Sequence, residues 1–158
     1  MSPITLPASV LMPEYEQLLR EGAELPLVVS GESMLPFLRP GRDTVYLRGA
    51  SAPLRRGEIA FYRRWNGVYV LHRVVRTEPG KYWFVGDAQA RVEGPLPEKC
   101  VFAYVTAVRR GERLIRPDNA VWRFFAGPWL HTVGRRPLLL KLYRLLFYRA
   151  GQATTTGE

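Results

Sequence analysis

Three residue types from which acyl transfer is assembled occur in order along this chain. The first is Ser33, in Ser30-Gly31-Glu32-Ser33-Met34-Leu35-Pro36, directly after the apolar run Leu25–Val29. A serine in a Gly-containing turn at a strand end is exposed, and the nearby backbone N–H groups suit a developing oxyanion. Most turn serines only bond their own backbone, so this signal is weak alone. The second is His72, within Val68-Tyr69-Val70-Leu71-His72-Arg73-Val74-Val75. Period two sets it on one face with Val68, Val70 and Val74. An imidazole there is either a satisfied core histidine or a general base, whose ordinary pKa near 6.5 lets it take a serine proton around neutrality. The third is Asp87, in Phe84-Val85-Gly86-Asp87-Ala88-Gln89, with Glu93 close behind. Gly-Asp after a strand is ordinarily a turn. A carboxylate at that point also suits the orienting of a histidine and the stabilising of its imidazolium.

The elements that must hold these residues are mostly strands. Short β-rich runs punctuated by Gly and Pro predict strands near 25–30, 43–48, 57–64, 67–76, 81–86 and 100–109, with a further one at 112–116. Trp65-Asn66-Gly67 between two strong runs is a hairpin signal. Strands that follow one another without helical patterns predict a mainly β domain, a coiled antiparallel or barrel-like sheet. Ahead of it, residues 13–22 (PEYEQLLREG) predict a short helix, with Pro13 in its first turn and Gly22 at its stop. After it, residues 119–149 are rich in aromatics and leucine and broken by Gly127-Pro128 and Gly134…Pro137. In their second half Lys141, Arg144 and Arg149 share one arc of a helical wheel and Leu138, Leu139, Leu142, Leu145 and Leu146 fill the rest, an amphipathic basic helix. The expected organisation is a helical segment over 1–24, a β domain over 25–116, a basic amphipathic tail over 117–149 and a disordered end over 150–158.

Charge separates the same parts. Residues 1–108 carry 13 Lys and Arg against 11 Asp and Glu, whereas residues 109–149 carry 10 against 2. Nearly all of the net +9 therefore lies in the last quarter of the 158 residues. An anionic membrane surface suits this segment, with Trp122, Phe124, Phe125 and Trp129 as interfacial aromatics. The competing expectation is that it folds back and caps the β domain. Nucleic acid is disfavoured, because the cations alternate with leucines and no DNA-reading motif is present. Lone Cys100 excludes an internal disulfide, and with His72 and His131 as the only histidines no metal or other cofactor is expected. The first residues have neither a cationic start followed by a long apolar run nor a span of roughly 20 apolar residues, so a cytoplasmic protein is expected, peripheral on the inner face of the membrane if the tail binds lipid.

Taken together, GESMLP (31–36), RGEIAFY (56–62), HRVV (72–75) and GDA (86–88) resemble the ordered boxes of the signal peptidase I and LexA-like serine peptidases. The HRVV box resembles the branch typical of archaeal and endoplasmic-reticulum signal peptidases, in which histidine rather than lysine is the base. The resemblance covers roughly residues 25–109. It implies a coiled antiparallel β domain, Ser33 as nucleophile, His72 as base, and Asp87 or Glu93 as the orienting acid. The backbone of Ser30, Gly31 and Ser33 would form the oxyanion site, with Met34 and Pro36 on the substrate side and an extended peptide along a strand edge. Arg73 is expected at the strand edge or beside substrate. The sequence departs from the family pattern at Gly41-Arg42-Asp43 and Gly57-Glu58 and at Gly31 in place of a further oxyanion serine, and the family's N-terminal membrane anchor is not expected here. The expected function is that of a serine endopeptidase acting on a peptide or precursor peptide; the alternative is an inactive peptide-binding or adaptor module.

Overall fold

The computed structural model describes residues 8–147. In chain order the elements are α1 (Ala8–Arg20), β1 (Glu24–Val28), β2 (Asp43–Gly49), β3 (Ile59–Arg63), β4 (Tyr69–Glu78), β5 (Lys81–Val85) and β6 (Glu93–Pro97). There follow β7 (Val101–Arg110), β8 (Arg113–Ile115), α2 (Ala120–Ala126), a 3-10 segment (Pro128–Arg135) and α3 (Arg136–Phe147). The strands pair antiparallel in the order β1-β2-β7-β3-β4-β5-β6, and β8 adds to the distal half of β7. The fold is therefore mainly β, as expected. The sheet is open, with β1 and β6 at its edges, and does not close into a barrel.

Strand alternation buries both faces of this sheet. Ile59 and Phe61 of β3 enter one apolar cluster, while Ala60 and Tyr62 enter another with Val70, Val74, Tyr82 and Phe84. The larger cluster takes Leu19 of α1, Met34, Phe37 and Leu38 from the turn after β1, and Trp122, Phe125 and Trp129 from the C-terminal part. Gly49 is what lets α1 lie this close: a Cβ there would stand 2.2 Å from the Leu19 carbonyl oxygen. The β3–β4 hairpin closes through Gly67, at φ 84°, as the Asn-Gly signal predicts.

Three expectations about elements differ from the structure. The first helix begins at Ala8, so Pro13 lies in its interior; Met12 packs on the larger core and holds the preceding turn. β6 was not predicted, because Glu93-Gly94-Pro95-Leu96-Pro97 lacks β-branched residues and holds two prolines, which only an edge strand tolerates. In the 119–149 segment Trp122, Phe125 and Trp129 are buried in the core rather than set out as interfacial aromatics; only Phe124 of the four stays half exposed. Asn119 caps α2 by accepting from the Val121 N–H, 2.9 Å, and starts this fold-back. Residues 148–149 of that segment and the tail over 150–158 lie outside the described residues. Among the described residues no helix is long and apolar enough to cross a membrane.

Candidate active site

Ser33 sits in a turn pinned at several points. Leu38 N–H donates to the Met34 carbonyl at 2.9 Å, and Arg110 reaches the Phe37 carbonyl at 2.6 Å. The far end is held by buried Asp43, which accepts from the Arg39 N–H and from the guanidinium groups of Arg42 and Arg110. Burial alone would raise the Asp43 pKa, but those hydrogen bonds outweigh it and hold the carboxyl below its usual value. Thus the Gly-Arg-Asp departure still places a buried carboxylate that anchors the serine turn.

The near end of the turn rests on Gly86-Asp87-Ala88. Ala88 N–H donates to the Ser33 carbonyl at 2.9 Å. A Cβ on Gly86 would lie 2.5 Å from the same oxygen, so a glycine is needed for the two segments to meet. Gln89 Oε1 accepts from the Gly86 N–H at 3.2 Å and closes the box on itself.

Asp87 does not serve the histidine. Its carboxylate is fully buried and takes both bonds of the Arg73 fork, Nε to Oδ1 at 2.8 Å and Nη2 to Oδ2 at 2.7 Å. Arg73 is completely buried as well, with Nη1 on the Gly57 carbonyl, so it lies neither at the strand edge nor beside substrate. Alternation explains the pair: His72 and Arg73 are neighbours on β4 and point to opposite faces, and both faces are buried. A buried guanidinium needs a carboxylate, and Asp87 is the one supplied. The backbone of the same turn is clasped from the C-terminal segment. Trp129 Nε1 donates to the Asp87 carbonyl at 2.9 Å, and fully buried Arg136 donates to the carbonyls of Gly86, Gln89 and Trp129.

His72 is 4% exposed, and its Nδ1 lies 3.3 Å from the Tyr62 hydroxyl. The hairpin register explains the partner. Ala60 pairs with His72, so Tyr62, two residues on, shares its face as a diagonal neighbour. Glu93 stands one step further out, chelated by Arg64 at 2.9, 3.0 and 2.5 Å. Burial first, and the Glu93 carboxylate second, hold the Tyr62 phenol well above its usual pKa, so it is neutral. Burial also pushes the His72 imidazole down to about 4, against the attraction of Glu93. Of the two carboxylates expected to orient the histidine, Glu93 is the one whose charge reaches it, while the direct contact at Nδ1 is Tyr62 and Asp87 is taken by Arg73.

Ser33 and His72 line one cleft of about 810 Å³, together with Ser30, Gly31, Met34 and Gln89. Its walls are Leu27–Val29 at the end of β1 and Val68–Leu71 at the start of β4. Among the described residues the backbone N–H groups of Ser30, Gly31 and Ser33 donate to no other group, and Ser33 Oγ makes no hydrogen bond, to His72 or elsewhere. Met34 is core as much as cleft floor, at 3% exposure, and Pro36 is not in the lining. No cluster of three or more His, Cys, Asp or Glu suited to a metal ion occurs among the described residues.

No family model, curated protein or solved structure matches the chain. The site's chemistry therefore rests on its own geometry. It holds a neutral imidazole with one nitrogen engaged, a serine in the same cleft, and unused N–H donors beside that serine.

Residues important to this arrangement that the sequence did not assign to it are Tyr62, Arg64 and Arg136, together with Trp129, which was expected at a membrane interface instead. Tyr62 was legible in principle, from the hairpin register that the Asn-Gly turn sets. The other three carry no local signal, since their partners lie 7 to 50 residues away.

Proposed function

We propose that the protein is a serine endopeptidase of signal-peptidase-like type, cleaving a peptide or precursor-peptide bond through an acyl-enzyme. The observation that carries the reading is the convergence of Ser33 and His72 on one cleft, with the serine turn seated on the Gly86–Ala88 box. Nδ1 of His72 faces Tyr62, which leaves Nε2 as the base. Nε2 takes the proton of Ser33 Oγ as the oxygen attacks the peptide carbonyl. Backbone N–H groups of Ser30, Gly31 and Ser33 receive the oxyanion. The proton passes to the leaving amine, and water, deprotonated by the same nitrogen, then releases the acyl group. Glu93, through the neutral Tyr62, favours the transient imidazolium, in the place a direct carboxylate takes in the Ser-His-Asp triad. An extended peptide fits along the open edge of β1, where main-chain bonding gives affinity and the cleft selects side chains. The proposed setting is the cytoplasm, with small precursor peptides as substrates.

The test is a fluorophosphonate label with peptide mapping, alongside cleavage of a peptide library read by mass spectrometry. Label is expected on Ser33, and Ser33→Ala is expected to lose label and cleavage while keeping its melting temperature. Cleavage that persists in Ser33→Ala overturns the proposal. One observation favours a second reading, an inactive peptide-binding module: the Ser33–His72 hydrogen bond is not made. Catalytic hydrogen bonds often tighten only when substrate is bound. Peptide binding in the β1 cleft without any Ser33 acylation would establish that second reading.

A further inference from the structure

Five leucines of α3, at 138, 139, 142, 145 and 146, are 36% to 73% exposed. At about 100° per residue they fall within one arc of roughly 120°. The opposite side of the helix meets the body: Arg136 is buried, and Leu140 and Tyr143 are half buried, with Leu140 against the larger core. On the flank between lie exposed Lys141 and Arg144. An apolar stripe of this width on a solvent-facing helix is uncommon in a lone soluble domain.

We infer that α3 docks flat on an anionic lipid bilayer, with the leucine arc in the acyl boundary and Lys141 and Arg144 at the phosphates. Charge selects this occupant. From residue 119 to residue 157 the chain has no Asp or Glu, while it carries Arg123, Arg135, Arg136, Lys141, Arg144 and Arg149. A second copy of α3 would bring like charge to like charge, whereas anionic headgroups supply the missing sign beside the apolar layer that the leucines need. Of the four aromatics that the sequence offered for this task, Trp122, Phe125 and Trp129 are core residues and only Phe124 stays half exposed, so docking rests on the leucines. Arg136, the first residue of α3, also clasps the Gly86 and Gln89 carbonyls. The docked helix is therefore bolted to the turn that seats Ser33, and docking fixes how the cleft faces the membrane. Binding itself does not depend on peptidase activity, so the two proposals fail separately.

The test is sedimentation of the full chain with vesicles of roughly two parts phosphatidylcholine to one part phosphatidylglycerol, against phosphatidylcholine alone. Binding is expected on the anionic vesicles and is weakened by salt. Leu142→Glu with Leu146→Glu should weaken partitioning about a hundredfold, since each exposed leucine buried in the bilayer accounts for about a tenfold gain. Lys141→Gln with Arg144→Gln should weaken it about thirtyfold. Both pairs replace exposed side chains, and an unchanged melting temperature confirms their folding. No binding at low salt overturns the inference, as does binding that survives the leucine pair. So does a dimer in light scattering that the leucine pair abolishes, because the occupant is then a second copy.

Discussion

The most exacting consequence of the site concerns the protonation of His72. Burial holds its imidazole at about 4, whereas the unfolded chain protonates near 6.5. Above about 6.5 both states are neutral and folding incurs no proton penalty. As pH falls from about 6.5 to about 4 the unfolded state takes up a proton that the folded state refuses, so stability declines; below about 4 the loss is complete. The gap between the two values corresponds to about 3 kcal/mol. The assay is urea unfolding followed by tryptophan fluorescence across that range, for the wild type and for His72→Gln. The wild type should lose about 3 kcal/mol more than the variant on acidification, a difference that cancels the carboxylates common to both. In parallel, His131→Gln leaves His72 as the only imidazole, and its ring signals should titrate near 4 by NMR. The rate of Ser33 labelling should stay level down to about pH 5 and fall only below it. A titration at or above 6.5, or equal acid sensitivity in the two proteins, refutes the reasoning.

Two further outcomes follow from the supports of the site. Asp87→Asn leaves Arg73 as an uncompensated charge in a fully buried place, and should cost about 3–5 kcal/mol in urea unfolding. A loss below about 1 kcal/mol would refute the reading that the Asp87 carboxylate is what compensates the buried Arg73 charge. Gly86→Ala places a Cβ against the Ser33 carbonyl at 2.5 Å and must displace the serine turn. Labelling of Ser33 should slow about a hundredfold with the fold retained by circular dichroism, and an unchanged rate would show that the contact does not position the nucleophile.

The positions of the strands other than β6 along the chain, and the residues facing one another across the hairpin, were decided by the sequence itself. Alternation such as Ile59-Ala60-Phe61-Tyr62 and the Trp65-Asn66-Gly67 turn act over a few residues, and backbone geometry converts them directly into strand and register. The same local rules brought Ser33 and His72 forward as candidates. Tertiary structure alone decided which charges meet. Asp87 and Glu93 look equivalent in the chain, yet the first is consumed by Arg73, 14 residues away, and the second by Arg64, 29 away. Partner choice among several carboxylates and many arginines depends on which are desolvated together, a property of the packed core that no short window contains. The C-terminal segment was divided in the same way. Its amphipathic pattern was written in the sequence, but only packing could decide that Trp122, Phe125 and Trp129 fill the core while Leu138, Leu139, Leu142, Leu145 and Leu146 stay outside, because apolar character is common to both groups and close packing against the sheet selects between them.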